Sequence, residues 1–139
     1  MSKKDILKKS ESALLAKKIF IESMHFQRSE LTGGVIHFSQ SSIGKDIVKI
    51  DEGVYKSSLS LKMMNEEETV SLEIVVSGIF EFQAELEQEQ KDIIVTKNTV
   101  AILFPYLRSQ VTLMTAQPDI EPVVIPAINI NALLKNMES

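Results

Sequence analysis

Alternation of apolar and polar side chains dominates the middle of the chain. Over 54–64, Tyr55, Ser57, Leu59, Leu61 and Met63 alternate with Lys56, Ser58, Ser60 and Lys62, the period-two pattern of a half-buried strand. The polar turn Asn65-Glu66-Glu67-Glu68 leads into a second strand from Thr69. There Val70, Leu72, Ile74 and Val76 share one face, and Ser71, Glu73, Val75 and Ser77 the other. The short connection predicts an antiparallel hairpin. Gly78 interrupts the second strand, and Ile79, Phe80 and Phe82 continue it past a bulge.

Upstream, the pattern turns strand-like at Ile19. Phe20, Glu22, Met24 and Phe26 fall on one face, with Ile19, Ile21, Ser23 and His25 on the other. Apolar residues on both faces predict a strand covered on two sides. A Gly33-Gly34 break precedes the apolar run Val35-Ile36-His37-Phe38, and the polar segment 39–45 reads as a loop. Residues 1–17 carry only a weak helical stripe (Ile6, Leu7, Leu14, Leu15), so they read as an N-terminal extension with at most a short frayed helix.

Downstream, the glutamate-rich segment 83–92 reads as a solvated turn or helix. Residues 98–115 then predict a helix, with Val100, Leu103, Leu107, Val111 and Met114 in one stripe and Ile102, Phe104 and Leu113 beside it. That arc is too broad for a helix with one solvent face and implies burial against two surfaces. Pro105 cannot donate a backbone hydrogen bond, so a kink or local break is expected there. Segment 117–128, with Pro118, Pro122 and Pro126, reads as an extended crossing strap. Asn129 or Asn131 could cap a short final helix holding Ala132, Leu133, Leu134 and Met137. Strands first and helices after make one α+β domain over 18–139.

The whole chain has 139 residues, 44% of them hydrophobic, which fits one domain with a core. A domain of this size still exposes much apolar surface, which a partner or a second copy could cover. Its formal charge of −4 argues against nucleic acid as the main ligand. The N-terminal lysines, interrupted by Asp5 and Glu11, read as a solvated face. There is no cysteine, which removes thiolate chemistry and disulfides and is compatible with a reducing compartment. Neither a signal-peptide run nor a stretch of ~20 apolar residues is present, so a cytoplasmic location without membrane insertion is expected.

Catalytic chemistry finds no support. His25 and His37 sit in different segments without a metal-ligand pattern, and the glutamate runs lie in turn-like stretches. Gly33-Gly34 does not belong to a phosphate-cradling loop. The expectation is a protein that is not an enzyme and needs no cofactor or metal.

Three motifs carry a resemblance. Ser77-Gly78-Ile79-Phe80-Glu81-Phe82, Ile102-Leu103-Phe104-Pro105-Tyr106-Leu107-Arg108 and Pro126-Ala127-Ile128-Asn129-Ile130-Asn131-Ala132-Leu133 follow one another as in the SecB family of protein-export chaperones, which the chain resembles over roughly 18–139. The resemblance implies a four-stranded antiparallel sheet with two helices, one long and one short and C-terminal, assembled as a homotetramer, a dimer of dimers. It implies an ATP-independent holdase that binds unfolded preproteins or other non-native polypeptides and keeps them translocation-competent. Classical members hand their clients to the SecA motor ATPase.

The same resemblance suggests residue roles. Val35, Ile36, Phe38 and Ile43, with Leu133, Leu134 and Met137 on the last helix, would bind clients; flexible apolar side chains suit promiscuous contact. Val70, Leu72, Ile74 and Val76 match positions governing tetramer assembly, although plain core is an equal reading. Leu103, Leu107 and Val111 on the broad helix would join that interface. Of the acidic positions resembling a motor-docking surface only Glu73 matches, with Ser23 and Gln27 at the others. That departure leaves open an alternative, a SecB-like chaperone dedicated to the antitoxin of a toxin–antitoxin pair.

Overall fold

A computed structural model describes residues 14–30, 32–127 and 130–137. Four antiparallel strands, β1 (Leu14–Arg28), β2 (Gln40–Asp51), β3 (Val54–Met64) and β4 (Val70–Phe82), form one sheet in the order β1-β4-β3-β2. A long helix, α1 (Gln88–Thr115), lies across one face, and a short helical segment, α2 (Ile130–Met137), packs against α1 and β2. This is the expected α+β class.

The β3–β4 hairpin forms as its alternation predicts, with Leu59 opposite Val76 and Leu61 opposite Ile74. Asn65 organises the turn: its Oδ1 accepts from the N–H groups of Thr69 and Val70, and its Nδ2 donates to Thr69 Oγ1 at 2.8 Å. Gly78 marks no bulge here, since it pairs in register with Ser57. Its lack of a side chain serves packing instead. A Cβ at Gly78 would come within 2.6 Å of Phe80 Cε2, so the glycine is the floor on which the buried Phe80 ring lies.

The bulges fall in β1. The register shifts between Ala16 and Lys18 and again between Ile21 and Ser23, and the extra residue at each place reverses the phase of the strand. Ile19 and Ile21 between the shifts, and Met24 and Phe26 after the second, therefore pair with the helix-facing residues of β4. These four, read from simple alternation as two faces, share one, and Phe20 stays outside opposite Ser77. The bulged Glu22 accepts on the outer face from Lys56 Nζ and from Ser77 Oγ, the latter at 3.0 Å.

Two strand boundaries differ from the sequence reading. β1 starts at Leu14, inside the segment read as an extension; residues 1–13 lie outside the described residues. The supposed loop 39–45 is the first half of β2, where Gln40, Ser42 and Gly44 face away from the helix and pair with Met64, Lys62 and Ser60. An edge strand with one polar face carries too little apolar alternation to announce itself.

The core lies between α1 and the central strands: Leu59, Leu72, Ile74, Val76 and Phe80 against Val100, Leu103, Leu107 and Val111. A buried hydrogen bond of 2.7 Å between Ser57 and Thr99 hydroxyls crosses it, so neither polar group is stranded. The helix begins earlier than its apolar stripe, at Gln88, whose Nε2 donates to the Tyr55 hydroxyl at 2.8 Å. Gln90 Oε1 accepts from the Glu87 N–H at 3.3 Å, closing the first turn. Pro105 does not break α1. It lies on the exposed side, and the carbonyl it leaves without an amide belongs to exposed Ala101.

After α1 the chain turns at Pro118-Asp119 and runs back along the helix as the expected extended strap. Thr112 Oγ1 donates to the Val123 carbonyl at 2.8 Å, Arg108 Nε to the Ile125 carbonyl at 2.8 Å, and the Val123 N–H to Thr115 Oγ1 at 2.7 Å. These clips fix the path of the strap towards α2. Asn129 and the side chain of Asn131 lie outside the described residues.

Candidate functional site

The β2 flank gathers most of the residues expected to bind clients, but in two groups. Ile43, Leu134 and Met137 are half-buried and pack against the core where α2 meets β2. Val35 and Ile36 lie instead at the end of the sheet, in the β1–β2 loop. They line an open cleft of about 510 Å³ with Thr32, His37 and the hairpin residues Asn65, Glu66 and Glu67. Val35 is 63% exposed, a large apolar side chain facing solvent beside acidic groups. Phe38 is half-buried between the groups in sequence, and the side chain of Leu133 lies outside what is described.

Across the outer face of the sheet, a ladder of charges is paired within the chain. His25, Glu73, Lys62 and Ser42 stand in one row across the four strands. Lys62 Nζ lies 3.3 Å from Glu73 Oε1, so the expected docking carboxylate already has a cation. Lys56 pairs with Glu22, and Lys17 Nζ lies 3.6 Å from Glu81. Lys56 first, then the Ser77 hydroxyl, hold the Glu22 carboxyl below the usual carboxylate range. Lys49 and Lys91 do the same for Glu52 at the β2–β3 turn. Ser23 and Gln27 are exposed and neutral on the same face. A second cleft, about 620 Å³, opens here beside His25, Ser42, Lys62 and Glu73. Among the described residues no cluster of His, Cys, Asp or Glu is placed to hold a metal ion, and no helix is long and apolar enough to cross a membrane.

The residues expected at an oligomer interface are corrected. Val70, Leu72, Ile74, Val76, Leu103, Leu107 and Val111 are all buried within the single chain, the helix stripe lying on the β4 face. Each stripe covers the other, so neither is left for a second copy. The broad arc of α1 has a second, outward side that simple stripe counting did not separate: Tyr106 and Leu113 are exposed there. Reasoning from sequence also missed the residues that tie the β1–β2 loop to the strap, Arg28, Gly33 and Asp119. Their one visible signal was the Gly33-Gly34 pair.

Set beside known proteins, the chain matches the family model described as preprotein translocase subunit SecB over residues 13–139. It belongs to the SecB family. It is 26% identical over 125 residues to the protein-export protein SecB of Saccharophagus degradans, an alignment covering 84% of this chain and 74% of that one. An uncharacterised protein of Methanocaldococcus jannaschii is 38% identical over 69 residues, which span half of this chain and 44% of the archaeal one. Among solved structures, the SecB-like chaperone of Mycobacterium tuberculosis, determined with a peptide of the HigA1 antitoxin, matches with a TM-score of 0.67. That match has 9% identity and covers 91% of this chain and 95% of the other. At that identity the likeness concerns the fold. Family and fold agree on the SecB type.

Proposed function

We propose that the chain is an ATP-independent holdase that binds unfolded polypeptides and keeps preproteins translocation-competent for export, without catalysing a reaction. The SecB family match over residues 13–139 carries this reading. The β2 flank supports it with the open cleft lined by Val35 and Ile36 and with the half-buried Ile43, Leu134 and Met137, apolar side chains suited to extended, variable segments held by many weak contacts. Clients would lie along Val35, Ile36, Phe38 and Ile43 and reach Leu134 and Met137 on α2, with Leu133 beside them. The assembly proposed is a homotetramer in the cytoplasm, with the exposed side of α1 at the contact between copies. A slow-folding test protein should be held unfolded by stoichiometric amounts of the chaperone without ATP. Serine at Phe38 and Leu134 should weaken holding and leave the assembled mass unchanged. Equal binding of native and denatured forms of the test protein would sink the holdase reading.

A second reading, a chaperone dedicated to an antitoxin, is favoured by one observation. The sheet face on which an acidic motor-docking surface would lie carries Ser23, Gln27 and a Glu73 already paired with Lys62. Pull-down of the tagged protein from its own cytoplasm separates the two. Many unrelated preproteins support export, and one dominant small partner supports the dedicated role.

A further inference from the structure

The loop carrying Val35 and the strap carrying α2 are fastened to each other at one point. Arg28, the last residue of β1, reaches the turn after α1. Its Nη1 donates to the Pro118 carbonyl at 2.9 Å, and its Nη2 to Asp119 Oδ2 at 3.2 Å. The planar fork of guanidinium donors suits two acceptors at once, which an ammonium cannot match. Beside this contact the backbones join: the Gly34 N–H donates to the Asp119 carbonyl at 2.8 Å, and the Glu121 N–H to the Gly34 carbonyl at 2.9 Å. Gly33 lets the segments approach, because a Cβ there would lie 2.5 Å from Asp119 Oδ2, the atom that Arg28 holds. Asp119 and Gly34 both have left-handed backbones, with φ of 68° and 70°. For Asp119 that conformation persists where its surroundings hold it.

From this clasp the chain runs two ways. Val35, Ile36 and Phe38 follow Gly34 directly. In the other direction buried Ile120 anchors the strap, which the clips from Arg108, Thr112 and Thr115 guide along α1 towards Leu134 and Met137. We infer that Arg28 is a positioning residue, which through Pro118 and Asp119 sets both walls of the client surface before a client arrives, a role resting on the holdase reading above. The ion pair itself adds little stability, because Asp119 is largely exposed to solvent. Its effect is geometric. A client that meets ordered walls spends none of its contact energy on ordering them, and such differences show mainly in the rate of release.

The test uses the full chain and reduced, carboxymethylated α-lactalbumin as a permanently unfolded probe. Arg28→Gln removes the charge and the fork. Gly33→Ala disturbs the same clasp from the other side without changing charge, and Arg28→Lys keeps the charge with a single ammonium. In Arg28→Gln and Gly33→Ala, amide exchange at Gly34 and Glu121 should rise and probe release should quicken about fivefold. Association rate and assembled mass should stay as in the wild type, and Arg28→Lys should fall between. Faster exchange with unchanged release overturns the positioning role and leaves the holdase standing. Unchanged exchange in both variants, or release that alters only together with the mass, overturns it as well. A wild-type chain that fails to hold the probe overturns the holdase reading, and the positioning role with it.

Discussion

At the scale of single residues, burial separates positions that hold the fold from positions that remain for partners. Leu72 is fully enclosed between β4 and α1. Leu72→Ala should therefore lower the unfolding free energy by about 2–5 kcal/mol, the cost of lost burial plus the cavity left behind. Denaturant titration would measure this, and a shift in assembled mass without loss of stability would contradict it. Glu22 is a different case. Its lowered pKa, due first to Lys56 and then to Ser77, means that its contribution to stability is present above the unfolded carboxylate value of about 4.3. That contribution disappears as pH falls through the lower folded value. Glu22→Gln should flatten the acid side of the stability profile and leave its slope near neutrality unchanged, as thermal melts across the pH range would record.

At the scale of elements, α1 has two faces with different fates. Its Leu103-Leu107-Val111 stripe closes the core, while Tyr106 and Leu113 are 49% and 63% exposed. A contact between copies through this outer side should be broken by paired Tyr106→Glu and Leu113→Glu changes, because carboxylates at its centre would be desolvated without partners. Light scattering should then fall from four times 15.6 kDa towards smaller species, with the helical circular dichroism retained. A variant that keeps the full mass would place the contact elsewhere. The sheet gives the complementary lesson. Extra residues at Lys17 and Glu22 bring Ile19, Ile21, Met24 and Phe26 to the helix side, so β1 obeys period-two patterning within each segment and not across the shifts.

For the whole molecule, the charge arrangement matters more than the net charge. Carboxylates of the outer sheet face pair with lysines of the same face, which weakens the field a basic partner would meet. Complementary fields act mainly on encounter rate and specificity. Binding to a classical SecA zinc-containing tail should accordingly be weak and strongly salt-sensitive by calorimetry. Tight binding that survives physiological salt and is abolished by Glu73→Lys would restore the full export role for this face.

The β3–β4 hairpin, the long helix and the strap are legible in the order of residues alone, because each announces itself through local periodicity or proline spacing. The family, too, was legible in short motifs, two of which occupy tight places: Gly78 beneath Phe80 in the first, and in the second Leu103 and Leu107 under the sheet with Arg108 clipping the strap. The identity of β2 emerged only from its pairing with β3, because an edge strand whose first half has one polar face carries too little apolar alternation to read. Tertiary packing also decided that the stripes assigned to subunit contacts cover each other, since periodicity reveals that a face is apolar but not what lies against it. The clasp of Arg28 on Asp119 joins residues 91 positions apart, and no local pattern encodes such a meeting.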